Sequence, residues 1–99
     1  MSFEISYKAA EDLEKIWLYT FENWSKEQAD RYIKLIFDEI EYLTMNPMSG
    51  RDFSFIRKNY RYSKVKSHLI FYKHSKKQAK IQVVRVLYER MDIESTLIG

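Results

Sequence analysis

The chain has 99 residues, a net charge of +3, two histidines, two glycines, one proline and no cysteine, which leaves room for one domain over residues 1–99 with one modest core. Without cysteine there is neither a disulfide framework nor a thiolate metal site, and two histidines alone make a poor metal site, so no metal or cofactor is expected. The N-terminus has neither the basic and apolar regions of a leader nor a run long enough to span a bilayer, so the expected location is cytoplasmic, with no membrane partner.

The charges are unevenly divided. Residues 1–50 carry five Lys and Arg against ten Asp and Glu, whereas residues 51–99 carry twelve against four. The second half is a candidate surface for an anionic partner, or else a solvated face that keeps the protein soluble.

The stretch "FEISY" alternates apolar Phe3, Ile5 and Tyr7 with polar Glu4 and Ser6, which predicts a short first strand. From Ala9 the period changes: Ala9, Leu13, Ile16, Trp17, Phe21 and Trp24 recur at three and four, as on an amphipathic helix. "SKEQ" reads as a capping box that opens a second helix at Ser25, flanked by Trp24 and Ala29 as a hydrophobic staple. Ala29, Tyr32, Ile33, Ile36, Phe37, Ile40 and Leu43 form its apolar stripe, and it must stop before Pro47. The acidic half is thus a helical hairpin.

"NPMSGRDFSF" is a connection, in which Arg51 is expected to fix the turn. "YRYSKVK", "SHLIFYKHS" and "AKIQVVRVLYER" then read as three strands, the last two joined by a lysine-rich turn. Together the elements predict an α+β fold: a helical hairpin on one face of an antiparallel sheet of about four strands. Apolar residues fall on both parities of "LIFY" and "IQVVRVLY", so the sheet face away from the helices is expected to be bare and to need a partner protein.

Arg85 lies inside the apolar run "QVVRVLY", where a guanidinium needs water, a phosphate or a carboxylate such as one from a helix. Arg90 follows at the strand end with Tyr88 between, and His68, Tyr72 and His74 share a face of the preceding strand. Such groups can grip phosphates and stack bases, or pair with carboxylates and pack. No Gly-rich phosphate loop, nucleophile elbow or metal motif is present.

Taken in order, "DLxxIWxYT", "P-x-x-GR", "SHxIFY" and "RVLxxRMD" resemble the ParE toxins of the RelE/ParE superfamily, the toxin halves of bacterial toxin–antitoxin modules. The likeness runs from about Tyr7 to Asp92. It implies the same fold and a ParD-like antitoxin whose acidic, amphipathic segment wraps the toxin. Trp17, Leu69, Phe71, Tyr72, Val84 and Val86 are the expected antitoxin contacts. Two activities occur in the superfamily: poisoning of DNA gyrase, and RelE-like cleavage of mRNA on the ribosome. The resemblance to ParE implies the first, without catalysis, through Arg85, Tyr88, Arg90, Met91 and Asp92. The nuclease alternative would use Arg85, Tyr88 and Arg90, but Leu69 stands where those nucleases tend to have arginine, and no Tyr or His ends the chain. Tyr88 stands where ParE sequences often have histidine. Nucleic acid would be met only through the gyrase–DNA complex or the ribosome.

Overall fold

The computed structural model describes residues 3–98. In chain order the elements are β1 (Phe3–Ile5), α1 (Tyr7–Asn23), α2 (Lys26–Met45), β2 (Arg51–Asp52), β3 (Tyr60–Val65), β4 (His68–Ser75), β5 (Lys80–Tyr88) and α3 (Ile93–Ile98).

The first strand is shorter than its alternation suggests because α1 begins at Tyr7: Ser6 still donates its N–H to the Val83 carbonyl, while its Oγ accepts from the Ala9 N–H at 3.0 Å as the helix cap and donates to the Val84 carbonyl at 2.9 Å. Ser25 opens α2 as expected, its Oγ accepting from the Gln28 N–H at 3.1 Å. Trp24 does not serve as a buried staple: it is 65% exposed and lies edge-on to Tyr19.

The sheet has five strands in the order β1-β5-β4-β3-β2. Two features depart from the expectation of four antiparallel strands. β1 runs parallel to β5, with Phe3 opposite Ile81 and Ile5 opposite Val83, since alternation reveals a strand but not its direction. The connection after α2 also adds a two-residue strand, with Arg51 opposite Tyr62 and Asp52 opposite Arg61. β3, β4 and β5 form an antiparallel meander whose first hairpin turns tightly through Lys66, at φ 55°. A register shift between Phe71 and Tyr72 sets Phe71 opposite Arg85 but Tyr72 opposite Val83.

α1 and α2 cover one face of the sheet. There Ala9, Leu13, Ile16, Ile36, Ile40 and Leu43 meet Ile70, Tyr72, Ile81, Val83 and Val86. Each fully buried aliphatic side chain contributes about 1.5–3 kcal/mol. The opposite face is not bare. Phe71, Leu87 and Leu97 form a second cluster with Phe53, Tyr60, Tyr62, Leu69, Val84 and Ile93 packed around it. α3 and the loop before β3 therefore supply from within the chain the cover that was expected of a partner.

Three expected antitoxin contacts are withdrawn from the surface, Phe71 within the second cluster and Tyr72 and Val86 beneath the helices. Phe71 and Tyr72 are fully buried and Val86 is 2% exposed, while Leu69 and Val84 are partly buried against the second cluster. Tyr72 reaches across to the turn after α2, donating to the Pro47 carbonyl at 2.7 Å and accepting from the Gly50 N–H at 3.1 Å. The turn is further held by Arg61, whose Nη1 donates to the Gly50 carbonyl. Arg51 is exposed in β2, so the arginine that fixes this turn is Arg61.

Candidate functional site

β1 pairs with β5 only as far as Val83, which leaves the edge of β5 open beyond it. Asp12 of α1 fills that place. Its Oδ2 accepts from the Val86 N–H at 3.0 Å, and the same carboxylate receives Arg85 Nε at 2.8 Å and Nη2 at 3.0 Å. The Arg85 side chain is 20% exposed and that of Asp12 9%, and hydrogen bonding to Asp12 pushes the Arg85 pKa up. Arg85 thus holds α1 to the sheet edge and has given its fork to an internal carboxylate.

After Arg85 the strand runs out to the surface. Tyr88 lies opposite His68, is 46% exposed and sets its ring against the imidazole at a centroid distance of 5.8 Å. The Glu89 N–H donates to the Ser67 carbonyl at 2.9 Å, and Lys64 meets the Glu89 carboxylate at 2.8 Å and lowers its pKa. The Met91 N–H closes a turn onto the Tyr88 carbonyl. Met91 is 41% exposed, and Arg90 is exposed with no ion pair or hydrogen bond among the described residues. Asp92 is committed locally: its Oδ1 accepts from the Ser95 N–H and its carbonyl from Thr96 Oγ1, which starts α3.

Of the five residues expected to form one working end, Tyr88, Arg90, Met91 and Asp92 are exposed, Asp92 with its carboxylate on the Ser95 N–H, whereas Arg85 is bound to Asp12.

Beside Tyr88 opens a groove of about 910 Å³ between the helical hairpin and the β3–β4 turn. Its lining includes Lys15 and Tyr19 of α1 and the α1 C-cap Trp24, Arg31 and Leu35 of α2, Lys66, His68 and Tyr88, and it contains no carboxylate. Tyr19, Trp24 and Leu35 are 61%, 65% and 39% exposed. At the floor the Tyr32 hydroxyl lies 2.7 Å from His68 Nδ1 and 3.3 Å from the Val65 carbonyl. Burial holds the His68 imidazolium below its ordinary range, opposed by the Glu89 and Asp12 charges.

Sequence reasoning missed this groove. The one available signal was an apolar stripe on α1 too wide for one buried face. Trp17, an expected antitoxin contact, is not in the groove: it stacks on Phe21 at 5.2 Å and donates from Nε1 to Asp30 of α2 at 2.9 Å. Among the described residues no helix is long and apolar enough to cross a membrane, and no cluster of three or more His, Asp or Glu stands ready to hold a metal ion.

Residues 3–93 match the family described as "ParE toxin of type II toxin-antitoxin system, parDE". Toxin ParE1 of Mycobacterium tuberculosis is 37% identical over 93 residues, covering 94% of each chain. Toxin ParE1 of Caulobacter vibrioides is 30% identical over 95 residues, covering 96% of each. A solved chain titled "Chromosomal ParDE TA system from P. aeruginosa" has the same fold, with a TM-score of 0.75 at 19% identity over 89% of this chain and 95% of that one. A helical hairpin on a mixed sheet, matched over nearly its whole length, places the chain in the ParE toxin family of type II toxin–antitoxin systems.

Proposed function

We propose that the protein inhibits DNA gyrase through the segment from Tyr88 to Met91, and that a ParD-like antitoxin silences it by laying an acidic amphipathic segment in the groove beside that segment. The observation that carries the gyrase reading is the unspent chemistry at the end of β5. Arg90 is exposed, makes no ion pair or hydrogen bond among the described residues, and is flanked by the exposed Tyr88 and Met91. Tyr and Arg held on a rigid strand end are the side chains that most often dominate a protein interface. The nuclease alternative is weakened because Arg85, its strongest internal cation, is bound to Asp12 and has little freedom to meet a scissile phosphate.

The antitoxin part rests on charge and shape. Lys15, Arg31 and Lys66 rim a groove whose walls are Tyr19, Trp24, Leu35 and Tyr88, which suits a helix with apolar anchors and acidic flanks. Because Tyr88 belongs both to the groove wall and to the gyrase segment, a bound antitoxin would cover part of the working end directly.

The test is a supercoiling assay with purified gyrase, ATP and the antitoxin-free protein. Loss of supercoiling with linear DNA accumulating supports the proposal. Unaltered supercoiling with folded protein in excess refutes it and directs attention to mRNA cleavage on ribosomes.

A further inference from the structure

The far end of the sheet carries a different concentration of charge. Tyr60 lies opposite Lys73, Lys73 opposite Gln82 and Ser75 opposite Lys80, so the loop entering β3 and the turn leaving β4 stand at the same end. Arg57, Lys58, Lys73, Lys76 and Lys77 are gathered there, and none of them makes an ion pair among the described residues. Two nearby carboxylates are occupied: Glu4 meets Lys80 at 3.2 Å, and Asp52 accepts from the Ser54 N–H at 3.0 Å.

An independent observation lies in the same loop. Phe55 is 75% exposed and backed by Phe53 at 5.3 Å. Two residues on, the Arg57 guanidinium sits 5.9 Å from the centre of the Tyr60 ring. Apart from that contact with Phe53, the Phe55 ring faces solvent.

We propose that this end of the sheet binds an unpaired nucleic-acid strand, with Arg57, Lys58, Lys73 and Lys77 on successive phosphates and Phe55 stacked on a base. Cations alone would suit a duplex backbone or an acidic protein segment. The exposed ring favours a strand whose bases are free to stack, and stacking on aromatics is insensitive to sequence. The surface is separate from the groove and from Tyr88, which lies opposite His68 at the other end of β4, roughly 17 Å from Lys73 at the usual rise of a strand. An antitoxin in the groove would leave it open.

The experiment is fluorescence anisotropy with a labelled oligothymidylate and the full chain across a salt series, in the absence of gyrase, so the result does not depend on the gyrase reading. Binding is expected to weaken with salt at a log–log slope of about −0.7 for each phosphate neutralised. The triple variant Arg57→Glu, Lys73→Glu, Lys77→Glu should lose at least about tenfold in affinity with a flatter slope. Phe55→Ala should lose about fivefold or more with the slope unchanged. Phe55, Arg57 and Lys77 are exposed and Lys73 is half-buried, and unchanged far-UV circular dichroism confirms that the variants fold. Three outcomes would overturn the proposal: no binding at low salt, duplex DNA bound as tightly with no effect of Phe55→Ala, or equal capture of a polyglutamate peptide.

Discussion

Asp12 and Arg85, from the first helix and the last strand, form a two-pronged ion pair in which one carboxylate oxygen also takes the Val86 N–H. A single aspartate thereby completes a sheet edge and neutralises a half-buried guanidinium. Asp12→Ala leaves both the guanidinium and a buried N–H without a partner, and should destabilise the fold by about 3 kcal/mol. Urea unfolding should show a lower midpoint with the slope unchanged. Arg85→Met in the Asp12→Ala background should recover part of the loss, because the uncompensated charge is then gone.

Gly50 and Tyr72 make a second close relationship. A methyl group on Gly50 would overlap the Tyr72 phenol, whose hydroxyl already joins the Gly50 N–H to the Pro47 carbonyl. Gly50→Ala should cost about 1–3 kcal/mol by forced displacement. Tyr72→Phe should cost about 1–2 kcal/mol through the polar groups it leaves unpaired. Thermal denaturation of the double variant should show less than the sum of the two, since removing the hydroxyl relieves part of the overlap.

The His68 imidazole is harder to protonate in the folded protein than its ordinary 6.5, chiefly through burial. The unfolded chain therefore binds a proton more readily at this position. The stability contributed by neutral His68 is present above that value and is lost as the pH falls below it. Denaturation midpoints measured between neutral and mildly acidic pH should decline, and His68→Phe should flatten the decline. An unchanged slope in that variant would assign the acid sensitivity to other groups.

The groove and the strand end should separate genetically. Trp24→Ala and Leu35→Ala are expected to weaken antitoxin binding by about tenfold each while leaving gyrase inhibition intact. Arg90→Ala should do the reverse. Tyr88→Ala, which touches both surfaces, should impair both, as read by calorimetry for the antitoxin and by supercoiling for gyrase.

The helical hairpin was legible because its signals are local: the Ser25 cap, the three-and-four spacing of Ile36, Ile40 and Leu43, and the stop before Pro47. The sheet was legible in part. Strands announce themselves by β-branched and aromatic residues, but the parallel pairing of β1 with β5 depends on contacts across the whole chain. α3 was not foreseen, because "IESTLI" is too short to display a period and contains the β-branched Ile93 and Thr96, which favour strands. Without α3 the second apolar face looked bare, and so Leu69, Phe71 and Val84, which lie on it, were taken for contact residues. Arg85 stood out correctly as needing a partner, yet only the fold could choose between a carboxylate and an external phosphate. The groove was hidden because Tyr19, Trp24, Lys66 and Tyr88 come from distant parts of the chain.

The pairing of Phe3 with Ile81 also bears on the order in which the molecule can mature. During synthesis β1 and both helices leave the ribosome well before β5 exists, and the place between β1 and β4 stays vacant until residues 80–88 emerge. Long-range pairing of this kind forms late and slowly. Asp12 likewise waits for Arg85, and the Tyr88 side of the groove is the last wall to be built. The nascent chain accordingly lacks both the proposed gyrase-directed surface and the proposed antitoxin seat until translation is nearly finished. The two capacities arise together, in a single closing step.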